Sequence, residues 1–242
     1  MRLDTSTWEE VDAYLGHSDG VIVPVGSTEQ HGPLGIIGTD AICAQAVADG
    51  AGELAQALVL PAIAYTPAPF NMAFAGTISV TVPTFRLVLR DILHSLSAHG
   101  FRRVFFLNGH GGNLEPLRAE ARDHPGLAIA IRSWWEFPEV QALRRELYGD
   151  WEGMHATPSE VAITRHTHRI VKRDDVLAPA RLSPDFIAAH AGDRHGPAEE
   201  HRRQFPDGRV GSHSGLAQPE HGEALLALAS RACAEEFRRL GV

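Results

Sequence analysis

Short apolar runs alternate along the chain with longer segments in which apolar residues recur every three or four positions. The short runs predict buried β-strands, because a strand covered on both faces is apolar throughout. They occupy residues 21–25, 58–65, 104–107 and 128–131. The longer segments predict amphipathic helices at residues 41–56, 83–99, 114–122 and 219–240. Strands that alternate with helices indicate an α/β protein, with a mainly parallel sheet flanked by helices on both faces.

One stretch breaks this alternation. Residues 183–215 are polar and rich in His, Pro and Gly, which predicts a mobile excursion from the domain rather than a linker. No internal repeat is visible, and a length of 242 residues suits one α/β domain of ordinary size. We therefore expect a single domain over residues 1–242.

The charge balance narrows the possible partners. With 22 Lys and Arg against 30 Asp and Glu, the net charge is -8, which argues against nucleic acid and anionic membrane surfaces. No apolar stretch is long enough to span a bilayer, and Glu9, Glu10 and Asp12 interrupt any signal-peptide pattern. Cys43 and Cys233 lack the spacing of a disulfide framework, which fits a reducing compartment. We expect a cytoplasmic location.

Three residues with metal-binding side chains, Glu29, His31 and Asp40, lie in one glycine-containing stretch, GSTEQHGPLGIIGTD. This stretch follows the predicted strand at 21–25, and open α/β sheets place their sites where strands end. On an extended backbone Glu29 and His31 point to the same face, because side chains alternate with a period of two. One divalent cation, or a close pair, could contact both. The alternative is a solvated loop that carries three polar residues by chance.

A further candidate ligand, His110, follows the predicted strand at 104–107 in the sequence NGHGGN. The glycines permit close backbone approach, so the imidazole can be presented into a cleft. A phosphate-binding loop is the competing interpretation. The segment has neither the glycine order of a dinucleotide-binding loop nor the lysine of a P-loop, so the pattern favours a metal ligand.

The third cluster is WEGMHATPSE, residues 151–160, which carries His155 and, five residues later, Glu160. Glu160 opens the apolar, helical-looking stretch at 161–163. As an alternative to metal binding, this acid could complement the dipole of that helix.

Together these motifs resemble the creatininase (creatinine amidohydrolase) family, and the chain is identified as a member of its NGHGGN type. The similarity covers nearly the full length, through VPVGSTEQHG, GTD, FAGTIS, NGHGGN, the HATPSE segment and the late VGSHSGLAQPEHGEAL. The resemblance implies a two-metal hydrolase with a three-layer α/β sandwich, assembled into a homo-oligomer that is usually a hexamer.

The resemblance also assigns the metal ligands. Glu29 and His31 would bind different metals, Asp40 would bridge the two, and His110 would complete one coordination sphere. Mixed carboxylate and imidazole coordination suits Zn²⁺, Mn²⁺ or Fe²⁺, so we expect two such divalent ions per subunit.

One ligand differs from creatininase proper, which has a glutamate two residues after its NGH histidine. This chain has Gly112 at that place. Glu160 is the expected replacement, because other NGHGGN-type members carry a glutamate in an HAG-containing motif that is reduced here to HATPSEVA.

On the substrate side, His155 matches the family histidine that contacts substrate and assists proton transfer. Trp151 matches a tryptophan that covers the substrate pocket in creatininase. The usual P-H-L-P after the first HG is changed to PLGI, which removes one pocket histidine at Leu34. Creatinine is therefore not the expected substrate.

The expected reaction follows from two such metals about 3.5 to 4 Å apart, which lower the pKa of a bridging water to about 7. The metal-bridged hydroxide would attack a C–N amide bond in a small molecule or short peptide, cyclic amides included, and His155 would protonate the leaving nitrogen. A Ser or Cys nucleophile competes poorly, because the chain has no nucleophile-elbow motif and neither cysteine lies in a catalytic one. Two alternatives remain open: a non-catalytic metal- or metabolite-binding member, and a hydrolase of a cyclic polyol derivative.

The other histidines and the paired tryptophans receive simpler predictions. Trp134 and Trp135 are expected to be anchors of the core or of a subunit interface. His213 or Glu220 could approach the site from a neighbouring subunit. Seven histidines in polar surroundings are predicted to face solvent: His166, His168, His190, His195, His201, His213 and His221.

Overall fold

The computed structural model describes residues 1–192 and 194–240. Four parallel strands form one sheet in the order β2-β1-β3-β4. Their bounds are β1 Gly20–Val25, β2 Leu58–Val59, β3 Arg103–Asn108 and β4 Ala128–Ser133. The predicted α/β class with a mainly parallel sheet is therefore confirmed.

The strand predicted at 58–65 is much shorter than expected. Only Leu58–Val59 pairs as a strand, and a single bridge between Val25 and Ile63 continues the alignment. Pro61 stands between these two contacts and has no backbone N–H to donate to a ladder. The edge of the sheet therefore loosens after two residues.

The helices include the four predicted ones, whose ends differ from the prediction by at most two residues. Their bounds are α1 Trp8–Leu15, α2 Thr39–Ala55, α3 Val82–Ala98, α4 Leu114–Asp123, α5 Pro138–Tyr148, α6 Pro158–Thr167, α7 Pro184–His190, α8 Ala198–Gln204 and α9 Pro219–Arg239. The sequence analysis missed α1, although Thr7 and Glu10 form a capping box at its start. Among the described helices, none combines the length and the hydropathy that a bilayer crossing requires.

Helices cover both faces of the sheet, and successive residues of β1 face opposite sides. Val21 and Val23 belong to one core with Phe85 and Leu89 of α3, and this core also includes residues of α1 and α4. Ile22 belongs to the other core, which is built with residues of α2, α5, α6 and α9. Trp134, 1% exposed, lies in this second core, as predicted.

The topology brings several loop and helix ends to one edge of the sheet. Val25 at the end of β1 pairs with Asn108 at the end of β3, so the segments that follow both strands start side by side. Asp40 lies in the first turn of α2 and Glu160 in the first turn of α6. Both helices pack on the same face of the sheet. This arrangement positions the candidate site.

The polar segment at 183–215 contains structure that the sequence analysis did not predict. Apart from residue 193, which lies outside the described residues, it forms α7, α8 and a 3-10 turn at Ser214–Leu216. The α8 helix packs against the 3-10 turn Pro69–Asn71. The mobility expected for the polar segment stays a prediction.

Candidate metal centre

Six acidic and histidine side chains from distant parts of the sequence converge beyond the carboxyl ends of β1 and β3. All are buried, and none is more than 8% exposed. They are Glu29, His31, Asp40, His110, His155 and Glu160. The structure thus brings together the five predicted metal ligands and the predicted catalytic histidine.

The carboxylate of Asp40 lies between two imidazoles. Its Oδ1 is 2.8 Å from Nε2 of His31, and its Oδ2 is 3.3 Å from Nδ1 of His110. The opposite ring nitrogen of His31, Nδ1, is 3.1 Å from the backbone carbonyl of Glu29. Because a carbonyl can only accept a hydrogen bond, Nδ1 of His31 is the donor there, and Nε2 is directed at the carboxylate.

His110 is oriented in the same way by a backbone carbonyl. Its Nε2 donates to the carbonyl of Pro67 at 2.9 Å, which leaves Nδ1 directed at Asp40 and at Glu29. The distance from Nδ1 to Oε1 of Glu29 is 3.3 Å. Outer partners of this kind fix the ring orientation of metal-binding histidines.

The surroundings of Gly112 leave no room for a side chain at this position. A Cβ atom there would lie 2.7 Å from Nε2 of His110 and 3.0 Å from the carbonyl oxygen of Pro67. Any side chain at this position would therefore press on the hydrogen bond that orients the His110 ring.

Glu160 contacts the cluster from the start of α6, where it also has a capping role. Its Oε1 accepts from the backbone N–H of Thr157, and its own N–H donates to the Thr157 hydroxyl. The same Oε1 lies 3.8 Å from Nε2 of His31. Glu160 can therefore cap the start of α6 and also contact the cluster. The two predictions for this residue do not exclude each other.

The charges of the cluster act strongly on one another because burial excludes water. Burial and, to a smaller degree, the Asp40 charge raise the pKa of Glu160 to about 7, against the opposing effect of His31. Burial also opposes ionisation of Asp40, but His31 and His110 lower its pKa to about 2. For His31, burial lowers the pKa, yet the nearby carboxylates, Asp40 foremost, raise it to about 10. Three carboxylates in one buried space thus require positive charge nearby.

The donor set fits divalent cations. Both carboxylate oxygens of Glu29 and Oδ2 of Asp40 are buried without a hydrogen-bond partner in the described part of the chain. Buried polar atoms in folded proteins are nearly always paired, so these atoms favour a bound cation. Three groups have ligand atoms within 4.8 Å of one another: Glu29, Asp40 and His110; His31, Asp40 and Glu160; and Glu29, His31 and His155. Asp40 belongs to the first two groups, as a bridging ligand would.

His155 lies at the edge of the cluster. Its Nε2 is 2.8 Å from the backbone carbonyl of Gln30, which makes Nε2 the protonated nitrogen, and its Nδ1 is 3.5 Å from Oε1 of Glu29. Burial and, to a smaller degree, the His31 imidazole, whose ring centroid is 4.6 Å away, together lower the pKa of His155 to about 3. The imidazole is therefore neutral near pH 7.

The polar residues that hold His155 were missed by the sequence analysis. The side-chain amide of Gln30 donates to Oδ1 of Asn71 at 2.8 Å and to the carbonyl of Gly208 at 2.9 Å. A Cβ at Gly208, whose φ is +83°, would lie 1.9 Å from Oε1 of Gln30. The only signals were positional: Gln30 stands between two predicted ligands, and Asn71 precedes the family segment FAGTIS.

Trp151, predicted to cover the substrate pocket, is half-buried four residues before His155. Its ring lies 5.5 Å from that of His213, and the Arg181 guanidinium lies 4.4 Å from its centroid. His213 donates its backbone N–H to the Trp151 carbonyl at 2.9 Å. The residues just before His213 in turn pair with the backbone of His155, through an N–H of Val210. The segment that holds Trp151 is thus linked through residues 210–213 to the backbone of His155, and its contact with substrate stays a prediction.

The prediction of solvent-facing histidines was wrong for several positions. His166 and His168 are exposed, but His201 is only 3% exposed and His195 is half-buried. His190, His213 and His221 are also half-buried. The reason is tertiary: His195 and His201 pack on Phe70, His213 packs on Trp151 and His221 on Tyr148, and a local polar pattern cannot reveal such contacts.

Comparison with known proteins supports the architecture and the motifs. The family model described as creatinine amidohydrolase matches residues 4–237. A creatinine amidohydrolase of Pseudomonas putida is 28% identical over 254 residues, which cover 96% of this chain and 94% of the relative. A mycofactocin precursor peptide peptidase of Mycolicibacterium smegmatis is 29% identical over 240 residues, covering 90% of this chain and 84% of the relative.

Solved structures agree with this assignment. A mutant creatininase complexed with creatine matches with a TM-score of 0.80 and 25% identity, covering 98% of this chain and 97% of the other. Other solved creatininases are described as a Mn form and a Zn-Zn type. Because the family model spans nearly the whole described fold, the chain belongs to the creatininase family of amidohydrolases.

Proposed function

We propose that this creatininase-family amidohydrolase cleaves a C–N amide bond, cyclic amides included, in a small molecule or a short peptide, using two divalent cations per subunit. The observation that carries the proposal is the position of Asp40. Each oxygen of this buried carboxylate faces a different histidine, and each histidine is accompanied by a second acid. A carboxylate that bridges two cations needs further ligands beside each of its oxygens. A solvated loop would not bring such side chains together.

Five side chains would hold the cations. Glu29 and His110 would serve one ion, His31 and Glu160 the other, and Asp40 both. Zn²⁺, Mn²⁺ and Fe²⁺ all accept this mixture of carboxylate and imidazole ligands. When bound, such ions lower the pKa of water towards neutrality and polarise the carbonyl of an amide.

His155 would move the proton that amide cleavage requires. It is neutral near pH 7, with the unprotonated Nδ1 directed towards Glu29. This nitrogen can accept a proton from the attacking water and deliver it to the leaving nitrogen, which is a poor leaving group when unprotonated. The Gln30 carbonyl keeps the other ring nitrogen protonated throughout.

The substrate differs from creatinine in this proposal. Leu34, 4% exposed, stands where the family pattern has a pocket histidine, and Gly112 replaces a glutamate of creatininase proper. The names of the two relatives indicate different substrates. Creatinine amidohydrolase is named for a cyclic amide, and the mycofactocin peptidase is named for a precursor peptide. We therefore propose the bond class and leave the compound to a screen.

Subunit assembly and location are part of the proposal. Family resemblance favours a homo-oligomer, with a hexamer as the expected state, built from one domain per chain. Cys43 and Cys233 are both buried free thiols, which is compatible with the cytoplasm. Sedimentation of the metal-loaded protein would test the assembly: a mass of one subunit would contradict it.

The central experiment combines metal analysis with a hydrolysis screen. The purified protein is loaded with Zn²⁺ or Mn²⁺, its stoichiometry is measured, and it is tested on cyclic amides, formamides, short peptides and cyclic polyol derivatives. Two ions per subunit and amide hydrolysis that Asp40→Ala abolishes would support the proposal. Two ions without turnover on any class would favour the non-catalytic binding protein, and turnover of the polyol derivatives alone would favour the other alternative.

A further inference from the structure

An open apolar groove runs along the surface between α1 and α3, and it has a volume of about 870 Å³. Its floor belongs to the core that these two helices share, on the face of the sheet opposite α2 and α6. The six side chains of the metal centre do not line it. Apolar side chains from both helices form its walls: Trp8, Val11 and Leu15 from α1, and Val88, Ile92 and Leu96 from α3.

Trp8 stands at the mouth of this α1–α3 groove and is 76% exposed. Val88 on the α3 wall is 44% exposed, and its neighbour Leu87 is 57% exposed. Soluble monomers rarely expose a large apolar patch, and tryptophan is enriched where proteins contact one another. The α1–α3 groove therefore has the character of a surface that another molecule covers.

The shape of this surface favours a second copy of the chain over a small ligand. A small molecule that filled the groove would leave the outward part of Trp8 in water. A second copy presents the same projecting indole and the same recess, and the recess has the volume of a drug-sized pocket, more than one indole needs. A surface that carries both a projection and a matching recess can pair with itself about a two-fold axis.

The two helices that form the groove run in the same direction. The α1 helix ends at Leu15 shortly before β1, and α3 ends at Ala98 shortly before β3. These strands are parallel, with Gly20 opposite Arg103. The groove therefore has one end at the helix ends and an opposite end towards Trp8, the first residue of α1.

Charged side chains divide the groove along this direction. Two exposed acids, Asp12 and Asp91, lie on its walls, and Asp91 stands two helical turns before the end of α3. At the helix ends, the exposed His99 lines the groove. The exposed Arg102 lies at the same end, where its guanidinium donates to the carbonyl of Ser97 at 2.8 Å.

The charges select how two copies would face each other. If the helices of both copies ran in parallel, the acids of one copy would face the acids of the other, which opposes association. An antiparallel arrangement places Asp91 of each copy towards the basic helix ends of the other. It also directs each Trp8 towards the apolar side chains at that end, Leu15 and Leu96.

We propose that the α1–α3 groove is a two-fold interface between two copies of this chain, packed with their helices antiparallel. The inference rests on the proposed homo-oligomer and names the surface that forms it. Because this surface lies apart from the metal centre, association here leaves the site of the proposed reaction uncovered.

Sedimentation of the metal-loaded protein tests the interface with Trp8→Asp. The indole is exposed at the first position of α1, where an acid suits the helix dipole, so the fold is retained. We expect the Kd of the contact to rise roughly 30-fold or more, the scale of an interface hot spot. A two-fold contact joins pairs, so its loss should halve the mass, from dimer to monomer or from hexamer to trimer. Leu177→Asp is the matched control, because Leu177 is 80% exposed outside the groove.

Charge reversal tests the antiparallel direction. The double variant Asp12→Lys, Asp91→Lys should weaken the contact roughly tenfold or more, because it places lysines opposite the basic helix ends. Adding His99→Glu and Arg102→Glu to the same chain should restore the wild-type mass. A fourfold variant that stays dissociated would overturn the antiparallel arrangement, and so would a double variant that associates as tightly as wild type.

The wild-type mass in Trp8→Asp would overturn the interface and leave the homo-oligomer to another surface. A wild-type protein that sediments as one subunit would overturn both, and the groove would then serve a different occupant. Metal content and amide hydrolysis are measured on the same samples. If wild type lacked hydrolysis while Trp8→Asp halved its mass, the proposed reaction would fail and the interface would stand.

Discussion

A Cβ atom at Gly112 would lie 2.7 Å from Nε2 of His110, the atom that donates to the Pro67 carbonyl. The absence of a side chain at position 112 therefore preserves the orientation of a candidate metal ligand. An acid from elsewhere in the fold, Glu160, approaches the cluster.

Gly112→Ala should weaken metal binding without unfolding the protein. Tilting the His110 ring breaks its outer hydrogen bond, and losses of this kind reduce metal affinity roughly 10- to 100-fold. Competition with a chromogenic chelator measures the affinity of both sites. Gly126→Ala is the control, because a Cβ at Gly126 meets nothing within 4 Å. Equal affinities in the two variants would contradict the proposed role of position 112.

Asp40→Ala should lose both ions together, because a bridging carboxylate serves two coordination spheres. Glu29→Ala and His31→Ala should each weaken one site more than the other. Elemental analysis after dialysis gives the stoichiometry of each variant. Asp49→Ala removes an acid from the same helix, where Asp49 pairs with Arg2, and should keep both ions. Full occupancy in Asp40→Ala would remove the bridging assignment.

Glu160→Gln separates the capping role of this residue from metal binding. A glutamine oxygen can still accept from the Thr157 N–H, so α6 should keep its start, whereas a lost carboxylate ligand should lower metal affinity roughly tenfold or more. The control is Glu10→Gln, since Glu10 occupies the same place in the capping box of α1 but is exposed. If Glu160→Gln changed only thermal stability, by about 1 kcal/mol or less, the residue would be a cap and no ligand.

His155→Ala should retain both metals and the fold while lowering kcat roughly 10²- to 10⁴-fold. The loss should be smaller for substrates whose leaving group needs no proton, because general acid help matters most for poor leaving groups. Rates on an activated and an unactivated amide are compared in wild type and variant, with His166→Ala as an exposed-histidine control. An equal loss on both substrates would indicate that His155 positions the substrate, and a lost metal would make it a ligand.

His201 should make the metal-free protein acid-sensitive. Its folded pKa of about 4 lies below the ordinary value of 6.5, so the unfolded chain binds a proton more readily in between. The stability that neutral His201 contributes is therefore present above pH 6.5 and is lost as the pH falls towards 4. Relative to His201→Phe, wild type should lose stability over this range with a slope of at most about 1.4 kcal/mol per pH unit.

Urea unfolding at several pH values measures that difference. His166→Phe, on an exposed residue of α6, controls for the added phenyl ring. Parallel stability curves for wild type and His201→Phe between pH 4 and 6.5 would show that burial does not hold His201 neutral.

The helices and strands that the sequence predicted are those whose pattern is local. β1 and β3 are short apolar runs, and α3 presents a regular apolar face, so neighbouring residues alone define them. The apolar character of residues 58–65 suggested a long strand, but Pro61 limits the strand to Leu58–Val59. The short helix α5 is largely polar on the surface and was missed, because its few buried residues join a core formed by distant segments.

The candidate residues of the metal centre could be read from the sequence, because their order in motifs and their places at strand ends are local features. How these residues meet depends on the folded chain: Asp40 faces two histidines, Pro67 orients His110, and Glu160 reaches the same cluster from the start of α6. The tertiary structure also decided that His201 is buried beside Phe70 rather than exposed. Side-chain direction, burial and hydrogen-bond partners depend on contacts between residues far apart in the chain, and no local pattern encodes those contacts.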